Sequence, residues 1–163
     1  MIIQLKNKDT LIVDDFKFKC CIGKNSLKKH KIEGDQATPI GVFKINKLYY
    51  RADRVEKPIT NLKTKIIKKN MGWCNDSKNK LYNKEIKIKK SIKHEKLFRK
   101  DNKYDYFMVI NYNQTKPIPF KGSAIFLHLT KNYKPTAGCI AIKKNDFLVL
   151  AKLIKKEIKI NIS

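Results

Sequence analysis

The sequence predicts a mainly β fold carrying one C-terminal α-helix, and three observations carry that prediction. Short apolar runs alternate with lysines at period two, glycine and proline punctuate them, and only one late stretch spaces its apolar residues as a helix does. In order, IIQL and LIV flank the polar KNKDT as a hairpin, and FKFKCCI alternates until Gly23 ends it. In GDQATPIGVFKI, Gly34, Pro39 and Gly41 mark a loop that leads into a strand around Val42 to Ile45. Between Tyr49 and about Asn102, the segments KTKIIKK, MGWCNDSKNKLYN and EIKIKKSI read equally as short strands or as loop excursions. YDYFMVINYN and SAIFLHL read as strands buried on at least one side, with Pro117, Pro119 and Gly122 in the turn between them. After GCIAI, the segment NDFLVLAKLIKK sets Phe147, Leu148, Leu150, Ala151, Leu153 and Ile154 at helical spacing, with Asn145 or Asp146 as its cap. The tail EIKINIS returns to period two as a last strand that closes the sheet. No repeat or linker interrupts the pattern, so residues 1–163 read as one domain, long enough to bury one core.

Composition narrows the class. An apolar fraction of 42% with 8 Phe, 7 Tyr and 1 Trp excludes a disordered chain despite 32% charged residues. The net charge of +24, from 38 basic and 14 acidic residues, favours anionic partners, whether nucleic acid, membrane surface or acidic wall polymer. The cations are mostly scattered lysines, with arginine confined to Arg51, Arg54 and Arg99. That distribution resembles compositional bias more than a base-reading stripe, which uses arginine forks. Cys20 and Cys21 are adjacent in an alternating segment and point to opposite faces, and no Cys or His spacing suits a zinc site. The opening MIIQLKNKDT has no apolar core of the kind an export signal carries, and no run long enough to span a bilayer occurs. Neither a signal peptide nor an integral membrane segment is therefore expected in the sequence as it stands.

The chemistry-bearing residues lie in SAIFLHLTKNYKPTAGCIAI. Phe126 and His128 fall on one face of a strand and Ile125 and Leu127 on the other, while Cys139 begins the next strand after a polar insert. Neighbouring strands would let imidazole and thiol meet, and a thiol of ordinary pKa, about 8.5, needs such a base to become a nucleophile. Gly138 permits a tight turn that brings amide N–H groups toward a developing oxyanion. Spacing alone equally allows two core residues. Elsewhere, His30 and His94 sit in charged, solvated contexts, and Cys74 reads as a packed thiol. Trp73 and Tyr82, in an aromatic loop segment, are candidates for substrate contact or for ordinary burial.

Taken together, ATPIGVFKI, IFLHL and PTAGCIAI, followed by a helix at KNDFLVL, resemble the L,D-transpeptidase catalytic domain, or YkuD family, over about residues 38 to 150. Thr38, Pro39, Gly41 and Phe43 match its early element, and His128, Thr136, Gly138 and Cys139 its late one. The resemblance implies a YkuD-like β-sandwich or mixed-sheet domain acting on peptidoglycan stem peptides. It implies Cys139 as nucleophile, His128 as base, Gly138 and Cys139 amides at the oxyanion, and Thr136 orienting His128 or the substrate. It implies transfer through a Cys thioester with release of terminal D-alanine, and neither metal nor cofactor. Ala137 and Ala141 depart from the commoner family pattern, which leaves carboxypeptidase or amidase hydrolysis beside transfer. The implied location is the periplasm or cell envelope, with the cytoplasm open for want of a signal. A basic nucleic-acid-binding module is the reading from another class, nucleic acid not being the expected partner.

Overall fold

The computed structural model describes residues 1–163. Its elements are β1 (Ile2–Lys6), β2 (Thr10–Val13), β3 (Phe16–Cys21), β4 (Leu27–Lys28), β5 (Thr38–Pro39), β6 (Gly41–Tyr50), β7 (Lys63–Ile66) and β8 (Met71–Cys74). They continue as β9 (Glu85–Lys87), β10 (His94–Lys96), β11 (Tyr106–Ile110), β12 (Phe126–Leu129), β13 (Ile140–Ile142), α1 (Lys144–Leu153) and β14 (Lys159–Ile162). The β1–β2 hairpin turns on Asn7 and Lys8, whose φ values of 51° and 63° give the reversed twist that right-handed strands accept.

The main sheet runs β11-β12-β13-β3-β2-β1-β14-β6-β7, and β11 also pairs with β6. These pairings join eight strands in a closed cycle, with β7 added outside it. The sheet is mixed: β1 with β14, β12 with β13 and β6 with β7 are parallel, whereas the other neighbours are antiparallel. A small sheet, β10-β8-β9, and the pair β4-β5 stand apart from it.

Alternation sorts side chains to two cores. Leu127, Leu129, Ile140 and Ile142 join Ile3, Leu11, Met108 and the helix residues Phe147, Leu150 and Ala151 in the larger one. Phe126, Phe107, Val109 and Cys139 point the other way and pack with Met71, Trp73, Leu97 and Tyr104. β11 and β12 are therefore buried on both faces, which explains their near-continuous apolar sequence. The smaller sheet covers only part of the second face, and the uncovered part holds the site.

Two expectations change and one open reading is resolved. The strand expected around Val42 to Ile45 extends to Tyr50, because its second half pairs with β11 on one edge and β7 on the other. The ambiguous middle contributes strands, β7 to β10, although its polar, lysine-rich sequence shows little alternation. The helix has Lys143 at its N-cap position with no side-chain cap, so neither Asn145 nor Asp146 caps it; Asp146 lies in the first turn instead, where a negative charge suits the helix dipole. β14 closes the sheet as expected, but as an interior strand between β1 and β6. No helix is long and apolar enough to cross a membrane.

Candidate active site

β12 and β13 pair in parallel with Leu127 opposite Ile140 and His128 opposite Ala141. Cys139 thus falls opposite Phe126, whose N–H donates to the thiol sulfur at 3.3 Å. Imidazole and thiol share one face as diagonal neighbours across the β12–β13 pairing. In this arrangement the thiol donates to Ala124 O at 3.2 Å.

His128 is 6% exposed. Its Nδ1 lies 2.9 Å from Leu129 O. A carbonyl only accepts, so Nδ1 carries the proton and Nε2 keeps a free lone pair. Tyr104 meets the ring edge-on at 5.4 Å and hydrogen-bonds Glu95. Burial, helped by the charges of Lys103 and Arg99, lowers the His128 pKa to about 4. Burial, and then the charge of Glu95, pushes the Cys139 thiol up to about 12. The resting pair is therefore neutral thiol and neutral imidazole at neutral pH, rather than a preformed ion pair.

The glycine–cysteine turn is fastened from two sides. Gly138 has φ +133°, and a Cβ there would lie 2.8 Å from Ala37 O, so only glycine fits. Thr38 donates to Gly138 O at 2.8 Å, which ties the early motif to the late one. Thr136 Oγ1 donates to Cys139 O at 2.6 Å and accepts from Gly138 N–H at 3.0 Å. Thr136 thus fastens the turn that carries Cys139 and makes no hydrogen bond to His128, which leaves the substrate as the other partner expected for it. Gly138 N–H is committed to Thr136, which leaves the Cys139 N–H as the amide beside the thiol free for an oxyanion.

Cys139, His128, Ala137, Ala141 and Thr136 line a cleft of about 1010 Å³. Its wall is mainly basic, with Lys31, Lys93, Lys103, Lys131 and Lys134 among the lining residues, but Glu33 and Glu95 also face it. Trp73 and Tyr82 line none of it. Trp73, 4% exposed, donates to Asn83 Oδ1 at 2.9 Å and supports Phe126 edge-on at 5.0 Å. Tyr82, 3% exposed, donates to Glu33 and accepts from Gly122 N–H. Substrate contact by these two gives way to a supporting role behind the site. Cys74 is packed in the core and His30 is exposed. His94 is half-buried, with its Nδ1 on Ile92 O. Glu33, Glu95, Tyr104, Ser123 and Asn75 are the site-lining or supporting residues that sequence reading did not single out; the only signal was an acidic residue standing alone within a basic segment.

A thiol and an imidazole thus stand on one face of a closed mixed sheet, beneath an open cleft. The family model of the YkuD L,D-transpeptidase catalytic domain matches residues 2–162. The chain belongs to that family, whose members act on peptidoglycan. Among solved structures it is similar to the helical cell shape determining protein Pgp2 from Campylobacter jejuni, with TM-score 0.55 and 16% identity. The match covers 99% of this chain and 46% of that one, so this chain spans about half of Pgp2's length. At that identity the likeness is one of fold. No curated protein matches the sequence.

Proposed function

We propose that the protein is a cysteine L,D-transpeptidase acting on peptidoglycan stem peptides at the cell envelope. The observation that carries this reading is the shared face of Cys139 and His128, with the imidazole tautomer set by Leu129 O so that Nε2 can accept a proton. The Cys139 thiol turns from Ala124 O and attacks the carbonyl between the diamino acid and terminal D-alanine as its proton passes to His128 Nε2. The Cys139 N–H stabilises the oxyanion. His128 returns the proton to the departing D-alanine nitrogen, the C–N bond breaks and a thioester remains. An incoming amine loses its proton to His128 as it attacks the thioester, and the thiolate recovers that proton on release. The lysines of the cleft draw in the carboxylates of the stem.

Hydrolysis is the second reading. Ala137 and Ala141 line the cleft and place only methyl groups beside the thioester, so water can reach it. Incubation with a tetrapeptide stem, with and without an amine acceptor, tests both readings by intact mass and product analysis. A Cys139-dependent thioester with release of D-alanine is expected. An adduct that persists in Cys139→Ala, or none at all alongside nucleic-acid binding that falls steeply with salt, would count against the assignment.

A further inference from the structure

In a protein of net charge +24, two carboxylates of the cleft wall, Glu33 and Glu95, take part in no ion pair. Every ion pair of the chain uses Asp35, Asp53, Asp101, Asp105 or Glu85. Glu33 and Glu95 each accept instead from a buried tyrosine, Tyr82 onto Glu33 Oε2 and Tyr104 onto Glu95 Oε1. The other oxygen of each carboxylate has no partner. Two cations of the same wall are engaged elsewhere. Lys31 Nζ binds Asp35 and Ala37 O, each at 2.6 Å, and Arg99 grips Asp101 at 2.9 and 2.7 Å.

Two further oxygens in the same wall lack any hydrogen bond although they are withdrawn from solvent, Ser123 Oγ and Asn75 Oδ1. Ser123 is 9% exposed. Folds rarely leave a buried oxygen unpaired unless something else supplies the partner. Ser123 also lies on the short path from carboxylate to nucleophile. Gly122 before it donates to Tyr82 Oη at 2.9 Å, and Ala124 after it accepts the Cys139 thiol at 3.2 Å.

We propose that Glu33 and Glu95, with Ser123 Oγ and Asn75 Oδ1, form a subsite for a primary ammonium, the side-chain ammonium of the diamino acid whose carbonyl Cys139 attacks. This assignment rests on the stem-peptide reading above. An ammonium offers three donors and no acceptor, which suits two free carboxylate oxygens and neutral oxygens beside them. Tyrosine hydroxyls hold the carboxylates in place without neutralising them. Burial, and then the charge of Glu33, raises the pKa of Glu95 against the opposing pull of Tyr104, Arg99 and Lys103, so a bound cation would add to what favours its charged form.

The test is calorimetric binding to the Cys139→Ala protein of L-Ala-γ-D-Glu-L-Lys-D-Ala and of its norleucine counterpart, which lacks only the ammonium. The lysine peptide is expected to bind about tenfold tighter, with the preference reduced in Glu33→Gln and in Glu95→Gln and near parity in the double variant. A protein this basic otherwise favours the less cationic peptide, so equal or reversed affinities overturn the subsite. A preference that survives the double variant overturns it too. The comparison of peptides on the unsubstituted carboxylates decides the matter if a glutamine variant fails to fold. D-alanine release by the unsubstituted protein is read separately. Lysine preference without release upholds the subsite and sinks the reaction, whereas release without preference does the reverse.

Discussion

Thr38 reaches across 100 residues of chain to donate its hydroxyl to Gly138 O at 2.8 Å, while its own Oγ1 accepts from Gly23 N–H at 2.9 Å. One fully buried side chain thereby joins β5 to the turn that presents Cys139. Thr38→Val keeps the shape and removes both bonds, leaving a buried donor and a buried acceptor unpaired. Urea unfolding should show a loss of about 1–3 kcal/mol, and acylation of Cys139 should slow because its turn is no longer held.

Gly138→Ala should be worse for the reaction than for the fold. Its Cβ meets Ala37 O at 2.8 Å in a backbone with φ +133°, so the turn must shift, at a cost of roughly 1–3 kcal/mol. Gly34→Ala is the control for backbone strain alone, since it has φ +80° and open space around it; denaturation should register about 1 kcal/mol there.

The rate of Cys139 acylation should rise with pH through about 4, as His128 becomes neutral, and stay level through neutral pH. The thiol, held up to about 12, loses its proton only at the far alkaline side. A stopped-flow profile of kcat/KM whose main rise falls near pH 8 would show that a preformed thiolate, rather than a neutral pair, carries the attack.

Stability should fall in acid for the same reason. The folded-state pKa of His128 lies near 4, below the ordinary 6.5, so the unfolded chain binds the extra proton first as pH drops. The contribution is whole above pH 6.5 and shrinks between 6.5 and 4, by about 3 kcal/mol in all. Unfolding free energies of the wild type and of His128→Asn, compared at pH 7 and 4.5, should show a steeper loss in the wild type.

Asn83 is the hidden support of the nucleophile. Its Oδ1 accepts from Trp73 Nε1 at 2.9 Å and Ala124 N–H at 3.0 Å, and its Nδ2 donates to Tyr112 O at 2.9 Å and Asn113 O at 2.7 Å. Asn83→Ala should cost about 2–4 kcal/mol. Trp73 is the sole tryptophan, so its emission should shift to the red and report the loosening directly.

The class of fold was legible from local periodicity, whereas the central pair needed the ordered match of its motifs as well. FLHL and CIAI alternate, so adjacency of β12 and β13 was enough to set His128 and Cys139 on one face. The lengths of β6 and β10 were not legible, since Lys47 and His94 become strand through pairing with distant partners. The cap of α1 misled because Asn145 and Asp146 are good caps by type, but Phe147 N–H donates to Lys143 O, which puts the N-cap two or three residues earlier. Of the two readings open for Trp73 and Tyr82, the structure has burial, because their polar tips find Asn83, Glu33 and Gly122 inside the protein. Glu33 and Glu95 look solvated in HKIEGD and KHEKLF; only long-range contact with Tyr82, 49 residues away, and the pairing of Glu95 with Trp73 bring them to the cleft.

The interior position of β14 orders events during synthesis. A chain emerging from its N-terminus can form β1 to β3 at once, but the gap between β1 and β6 stays unfilled until residues 159–162 have left the ribosome. Until then two strand edges lie bare, and the sheet that carries Cys139 and His128 cannot close. β14 is thus the keystone of this sheet, and a nascent chain stalled short of it should hold Cys139 and His128 without the closed sheet that sets them together.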